Sequence, residues 1–268
     1  MTKLICIDLD GTLLNDLLQI TDYTKNVITE ARNAGIKIVI TSGRPLTGVY
    51  SIIDRLDLNS EDYVITYNGG LIQKVDGTTI QQFSLPYSSV LEIDLFNRNL
   101  GTYVEFQTES SAYTTWHQIN WHGSFENYMT RLPLYIKEHG KLPEDINYIK
   151  AMTNDDQKVL DQIEKKIPLS FYNKLTVIRS SRHNIEYLNK QSSKGNAMAA
   201  LAKKLNIEIE ETMAIGDQLN DLSMINQAGI GVAMGNAISI IKQAAEVETN
   251  DNNHDGVAHA IEKYGLHR

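Results

Sequence analysis

Cysteine is nearly absent: Cys6 stands alone among 268 residues, so neither an internal disulfide framework nor a thiolate zinc cluster can be built. That suits a reducing compartment. Long apolar runs are missing too, since nothing approaches the ~20 residues that span a bilayer. The opening MTKLICIDLD lacks a basic flank, a long apolar stretch and a small-residue cleavage site. The expectation is an unexported, cytoplasmic protein without a membrane partner. Basic residues are not gathered: 25 Lys+Arg against 33 Asp+Glu leave a formal charge of −8, with cations scattered rather than aligned along a phosphodiester backbone. A nucleic-acid partner is therefore not expected. Internal repeats and low-complexity tracts are also lacking. What is present, 42% hydrophobic residues in a chain of this length, fills about two domain cores.

Leu4-Ile5-Cys6-Ile7 is continuously apolar and breaks into Asp8-Leu9-Asp10-Gly11-Thr12, the pattern of a strand buried on both faces that ends in a polar loop. Thr21 caps an expected helix with Val27, Ala31 and Ala34 on one face and a stop at Gly35, followed by an apolar strand from Ile36 to Ile40. Strand, helix and strand in this order make a parallel βαβ unit. Arg44-Pro45 is expected to start another helix, and Tyr63–Thr66 a strand turning at Asn68-Gly69-Gly70. The same grammar returns late in the chain. Ser193 precedes a helix with Ala197, Leu201 and Leu205 in register, then come strands at Met213–Ile215 and Ile230–Ala233. Between these halves, amphipathic helices at Ser88–Asn99 and Asp155–Ile167 alternate with strands at Tyr103–Thr108, Tyr148–Met152, Leu175–Ser180 and Ile185–Leu188. The fold class read from this is α/β: a doubly wound, Rossmann-like parallel-sheet core from residues 1–85 and 190–268, interrupted by an α/β module at 86–189. Pro86 and Asn189–Ser192 are the expected crossings.

Ligands of open parallel sheets bind beyond the carboxyl ends of the strands, so polar residues that follow strand runs should meet in one crevice. Four segments qualify: Asp8–Thr12, Thr41-Ser42-Gly43-Arg44, Lys194-Gly195, and Gly216–Asp221. They bring carboxylates at 8, 10, 217 and 221, one ammonium at 194, and a hydroxyl with backbone N–H groups at 42 and 43. Carboxylates crowded together repel and raise one another's pKa values. A hard divalent ion such as Mg²⁺, which takes oxygen ligands and bridges carboxylates to a substrate phosphate, relieves that repulsion. Asp8 at the strand end is placed to attack phosphorus, and Asp10 to act as general acid and then base. Ser42, Gly43, Lys194 and Asn220 can hold the phosphoryl oxygens. Gly11 permits the tight turn.

With these residues assembled, the chain resembles the haloacid dehalogenase superfamily of phosphatases, in particular its Cof-type subfamily IIB with a C2-type α/β cap between the second and third motifs. The motifs are DLDGTLL at 8–14, ITSGRP at 40–45, SKGNA at 193–197 and IGDQLNDLSMI at 215–225, followed by GVAMGNA at 231–237 and DGVAHAIEKY at 255–264. The cap exit IEYLNKQSSKG looks like that of the subfamily's sugar-phosphate phosphatases. The resemblance implies Asp8 as nucleophile and Mg²⁺ ligand, Asp10 as acid/base with its carbonyl on the metal, and Asp217 as the remaining ligand. It also implies phosphate binding by Ser42, Gly43, Lys194 and Asn220, with Asp221 and Asn252 behind them. Serine at 42 stands where the family more often has threonine, so either Thr41 or Ser42 supplies the hydroxyl, with Ser42, the direct neighbour of Gly43, expected to do so. Asp10 points to phosphate-ester hydrolysis, because the family's dehalogenases lack it and its ion-pumping ATPases carry threonine there. The expected partner is a small phosphorylated metabolite, a sugar phosphate above all. A phosphotransferase or mutase using the same intermediate, and a non-catalytic phospho-ligand binder, are the alternatives.

Three further signals have plainer readings. Asp251–Glu262 fits the letters of a calcium-binding EF-hand loop, but Ala258 occupies the usual large apolar anchor position and no partner hand exists; a turn opening the last helix is expected. His117 and His122 are five apart, a spacing that does not align two rings on a helical face, and are read as satisfied or exposed histidines. Trp116, Trp121 and Arg131 in the cap are candidates for selecting the substrate, with cap packing as the alternative for the two indoles.

Overall fold

The computed structural model describes Met1–Arg268. The chain forms two compact units. One comprises Met1–Gly43, Val49–Gln81 and Ser193–Arg268, the other Arg44–Gly48 and Gln82–Ser192.

The first unit is built on an eight-stranded sheet in the order Val247–Glu248, Ile230–Ala233, Thr212–Gly216, Leu4–Ile7, Lys37–Thr41, Tyr63–Thr66, Leu71–Lys74, Thr79–Gln82. The first six strands run parallel, and Leu71–Lys74 returns antiparallel. Leu4–Ile7 is buried on both faces and pairs Ile7 with Ile215 on one side and Ile40 on the other. A strand enclosed on both faces needs the continuous apolar run the sequence supplies. Because the chain leaves this central strand toward one neighbour and reaches the other only late in the sequence, the carboxyl end of Leu4–Ile7 is a topological switch point, where α/β sheets open a crevice.

The flanking helices follow their sequence signals closely. Thr21 accepts from the Thr24 N–H and starts Asp22–Asn33, whose Val27, Ile28 and Ala31 are buried; Gly35 follows at φ +89°. Ser193 caps Lys194–Lys204 by accepting from the Asn196 N–H. One expectation fails: Arg44-Pro45 does not open a helix. Leu46–Gly48 makes a single 3-10 turn and the helix waits until Tyr50–Arg55. Gly48 is a weak helix former, and the Thr47 hydroxyl donates to the Thr130 carbonyl instead.

The second unit carries a six-stranded sheet ordered Leu175–Ser181, Asn184–Asn189, Lys150–Asn154, Val104–Gln107, Ala112–Thr114, Leu134–Ile136. It is antiparallel except at its last pair. Strand alternation separates its faces. Val104, Phe106, Ala151, Ile185 and Tyr187 join Val90, Ile93, Leu160 and Ile163 from the helices Tyr87–Leu100 and Gln157–Glu164 in one apolar core. The alternate positions Glu105, Gln107, Lys150 and Glu186 are also buried. Glu105 there accepts from Tyr103, Gln107 and Asn127. The helix Trp121–Thr130 has no legible pattern because only Gly123 and Thr130 are buried along it.

Candidate active site

Asp8 follows the last residue of the central strand, and its N–H donates to the Ile215 carbonyl (3.1 Å), so its position is fixed by the sheet ladder itself. Lys194 begins the helix Lys194–Lys204 and is wholly enclosed, at 0% exposure. Its Nζ donates to Asp8 Oδ1 at 2.5 Å and to Asp221 Oδ1 at 2.6 Å. Asp221 Oδ2 in turn accepts from the backbone N–H groups of Asp217 (2.9 Å) and Gln218 (3.0 Å). Asp217 Oδ1 accepts from the Thr12 hydroxyl at 3.0 Å and Oδ2 from Gln218 Nε2 at 3.1 Å. One carboxylate oxygen from each of Asp8, Asp217 and Asp221 lies within 4.8 Å of the others. Three residues more than 200 positions apart at their extremes are thus one cluster.

The electrostatics of this cluster are unbalanced. Burial pushes the Asp8 carboxyl well above its usual range, Asp221 adds to the rise, and Lys194 opposes it. Asp217 is pushed up to about 6 by burial and by Asp221. For Lys194, burial favours the neutral amine, but the charges of Asp221 and Asp8 outweigh it and hold the ammonium above its ordinary value. Three carboxyls share one ammonium, so ionising all of them leaves an excess of two negative charges. Oxygen-only donors with that excess fit a hard divalent cation, whose charge would favour the ionised form of Asp8.

Glycines let the loops approach this closely. Gly11 has φ +81°, and a Cβ there would lie 2.6 Å from Asp217 Oδ2. A Cβ at Gly216 would lie 2.6 Å from that of Asp221, and one at Gly69 would overlap the Ser193 carbonyl. Asn68 is buried with φ 53°, its N–H donates to the Ser42 carbonyl (3.0 Å), and its Oδ1 accepts from Asn220 Nδ2 at 3.1 Å. Gly43 lies against the same Asn68 amide. Ser42, Gly43 and Asn220 therefore converge through a residue read from sequence only as part of a turn. The signal for it was Asn followed by two glycines after a strand, which marks a left-handed turn but not its neighbours. The Thr41 hydroxyl donates back to the Val39 carbonyl within the strand.

Asp10 is exposed and lies in the turn after the strand, bridged to Leu14. The Asn252 amide donates to the Leu14 carbonyl (3.0 Å) and to Asp16 (3.2 Å), while Asn236 donates to the Gly11 carbonyl (2.8 Å). These two asparagines brace the loop that carries Asp10. Asp255 accepts from Thr21 and Thr24, and Glu262 from Tyr23, so the carboxylates of the EF-hand-like stretch point to separate partners. In the second unit, Trp116 lies under the Arg98 guanidinium and packs against the apolar core. Trp121, at 74% exposure, and Arg131 are open to solvent. Burial pushes the Cys6 thiol up to about 12, consistent with a packing role.

Comparison with known proteins identifies the family. The family model of haloacid dehalogenase-like hydrolases matches residues 5–261. A putative phosphatase of Bacillus subtilis, YxeH, is 40% identical over 99% of both chains. The 5-amino-6-(5-phospho-D-ribitylamino)uracil phosphatase YcsE of the same organism is 35% identical, covering 98% of this chain and 96% of its own. Among solved structures, a haloacid dehalogenase-like hydrolase from Bacteroides thetaiotaomicron superposes with a TM-score of 0.85 at 29% identity, over 98% of this chain and 99% of that one. The strand-end carboxylate cluster, the buried lysine that ties it together and these similarities lead to one conclusion: the chain belongs to the haloacid dehalogenase-like hydrolases and is a phosphatase of that family.

Proposed function

We propose that the protein is a Mg²⁺-dependent phosphatase of small phosphorylated metabolites, sugar or polyol phosphates foremost, working through a phosphoryl group carried on Asp8. The observation that carries this reading is the shared Lys194 ammonium between Asp8 and Asp221, with Asp217 alongside. Asp8 and Asp217, with the Asp10 carbonyl, would hold the metal, which when bound supplies positive charge to the transferring phosphoryl group and keeps nearby carboxylates ionised.

Asp8 attacks phosphorus with a carboxylate oxygen, forming an acyl phosphate as the ester P–O bond breaks. Asp10, on the exposed turn two residues on, delivers a proton to the leaving alkoxide and then takes one from the water that attacks the acyl phosphate. Inorganic phosphate leaves and Asp8 is regenerated. Lys194, the Ser42 hydroxyl, the Gly43 N–H and the Asn220 amide hold the non-bridging oxygens, whose charge the loose transition state spreads over three atoms. The Ser42 hydroxyl, next to Gly43, is preferred over that of Thr41 for this role. The substrate class is supported by YcsE, a relative named for a phosphorylated ribitylamino compound.

The test is phosphate release from a panel of sugar phosphates, polyol phosphates, nucleotides and phospholipid headgroups, with Mg²⁺ or with chelator. Mg²⁺-dependent release without an acceptor sugar is expected. Asp8→Asn should abolish both turnover and a hydroxylamine-sensitive phosphoryl label while the chain stays folded. Wild-type rates in Asp8→Asn, or turnover unchanged by chelation, would overturn the assignment.

A further inference from the structure

The second unit holds a group of ligating side chains that the catalytic reading leaves unused. His122 lies in the first turn of Trp121–Thr130, Asp156 is the N-cap of Gln157–Glu164, and His183 sits in the turn between Leu175–Ser181 and Asn184–Asn189. The partners missing from the sequence around His122 are thus supplied by folding. His117 takes no part and lies exposed. One ligand atom from each of the three residues lies within 4.8 Å of the others. His122 Nε2 is 3.0 Å from Asp156 Oδ1, and the two imidazoles stack with centroids 4.2 Å apart at 14°.

We propose that His122, His183 and Asp156 form a zinc site. Two imidazoles and a carboxylate are the donors of a borderline ion, not of Mg²⁺, with water completing a tetrahedron. His183 Nδ1 lies 3.3 Å from the Asp155 carbonyl. A carbonyl only accepts, so Nδ1 carries the proton and Nε2 keeps its lone pair, the arrangement a metal-binding histidine uses. An ordinary His–Asp pair would need one ring; here two rings meet one carboxylate. Bonds of 2.0–2.1 Å place tetrahedral ligand atoms about 3.3 Å apart, so the group closes by about 1.5 Å at most. The near-parallel rings also need one side-chain rotation to aim both lone pairs at one ion. That rotation belongs to one of the imidazoles, and the exposed Asp156 carboxylate can follow it.

The site has a structural purpose. Along Trp121–Thr130 the side chains of Trp121, Phe125 and Tyr128 are exposed, while Glu126 and Asn127 turn inward and Gly123 and Thr130 are buried. An ion at His122 would add to the Asn120 cap, which already ties the start of the helix to the Asn154 carbonyl, a link to two further loops distant in sequence.

The experiment uses chelator-stripped full-length protein in excess Mg²⁺, which occupies the oxygen-only carboxylates of the first unit. Zinc is titrated by calorimetry, and histidine side-chain nitrogens are followed by NMR; Co²⁺ absorption reports coordination. One equivalent of zinc should bind, shift the His122 and His183 nitrogens, and raise the thermal midpoint. His122→Ala or His183→Ala should weaken binding by more than the ~10–100-fold that outer contacts cost, and Asp8→Asn should leave it unchanged. Equal zinc affinity in wild type and the His122→Ala/His183→Ala double variant, or zinc-induced shifts confined to other residues, would overturn the proposal. Because the NMR arm reads the wild-type chain, a misfolded variant does not shield it.

Discussion

Replacing Lys194 by Met tests the carboxylate cluster most directly. The substitution keeps much of the side-chain volume but removes the one cation between two buried acids, leaving Asp8 and Asp221 facing each other with no ammonium between them. At an effective dielectric of ~20, two unit charges 2.5–2.6 Å apart attract by about 6 kcal/mol. Desolvation of the lysine and the carboxylates cancels much of that. Breaking a buried pair from one side nevertheless costs about 3–5 kcal/mol, a large part of the ~5–15 kcal/mol that holds a domain folded. Urea unfolding followed by circular dichroism measures the loss. The same substitution is then made in an Asp8→Asn/Asp221→Asn background, where the lysine has no charged partner and its removal should cost nothing or stabilise. The coupling between the two backgrounds should therefore be about 3 kcal/mol or more, against the ~0.5 kcal/mol typical of independent sites. Equal costs in the two backgrounds would show that Lys194 acts through packing alone and that its charge does not hold the carboxylates together.

Asp10→Asn should lower turnover by about 10²–10⁴-fold while leaving the fold intact, and pre-steady-state phosphate release would separate its effects on formation and breakdown of the acyl phosphate. Gly11→Ala forces a side chain into φ +81° and onto Asp217 Oδ2; a loss of about 1–2 kcal/mol in thermal unfolding and a raised Mg²⁺ requirement are expected, and unchanged kinetics would mean the loop is more compliant than drawn. Glu126 is pushed up to about 7, chiefly by burial, with Lys150 opposing the rise and Glu105 and Glu186 adding to it. A raised carboxyl stabilises the fold fully below its unfolded pKa and loses that contribution as pH rises through about 7. Glu126→Gln should therefore gain on wild type across that interval by up to about 3 kcal/mol, and parallel stability–pH curves would refute it.

Much of the first unit was legible because its determinants are local. Leu4–Ile7 reads as an enclosed strand, Thr21 and Ser193 as caps, and Gly35 as a stop, since each depends on a few consecutive side chains and their own backbone groups. The sequence therefore determined the family, the doubly wound core, and which segments end in acids, hydroxyls and a lysine. Failures occurred where tertiary contacts replaced local pattern. The Arg44-Pro45 segment became a 3-10 turn tied to Thr130, and Trp121–Thr130 is helical without an apolar face to announce it. Only folding decided that Lys194 bonds both Asp8 and Asp221, that Asn68 joins Ser42 to Asn220, and that Asn252 reaches the Leu14 carbonyl. The same holds for His122, whose two companions come from loops far along the chain. Residue type and local spacing fix what a side chain can do and which element carries it; which partner it meets across dozens or hundreds of residues is set by sheet register and loop approach, quantities that no single stretch of sequence contains.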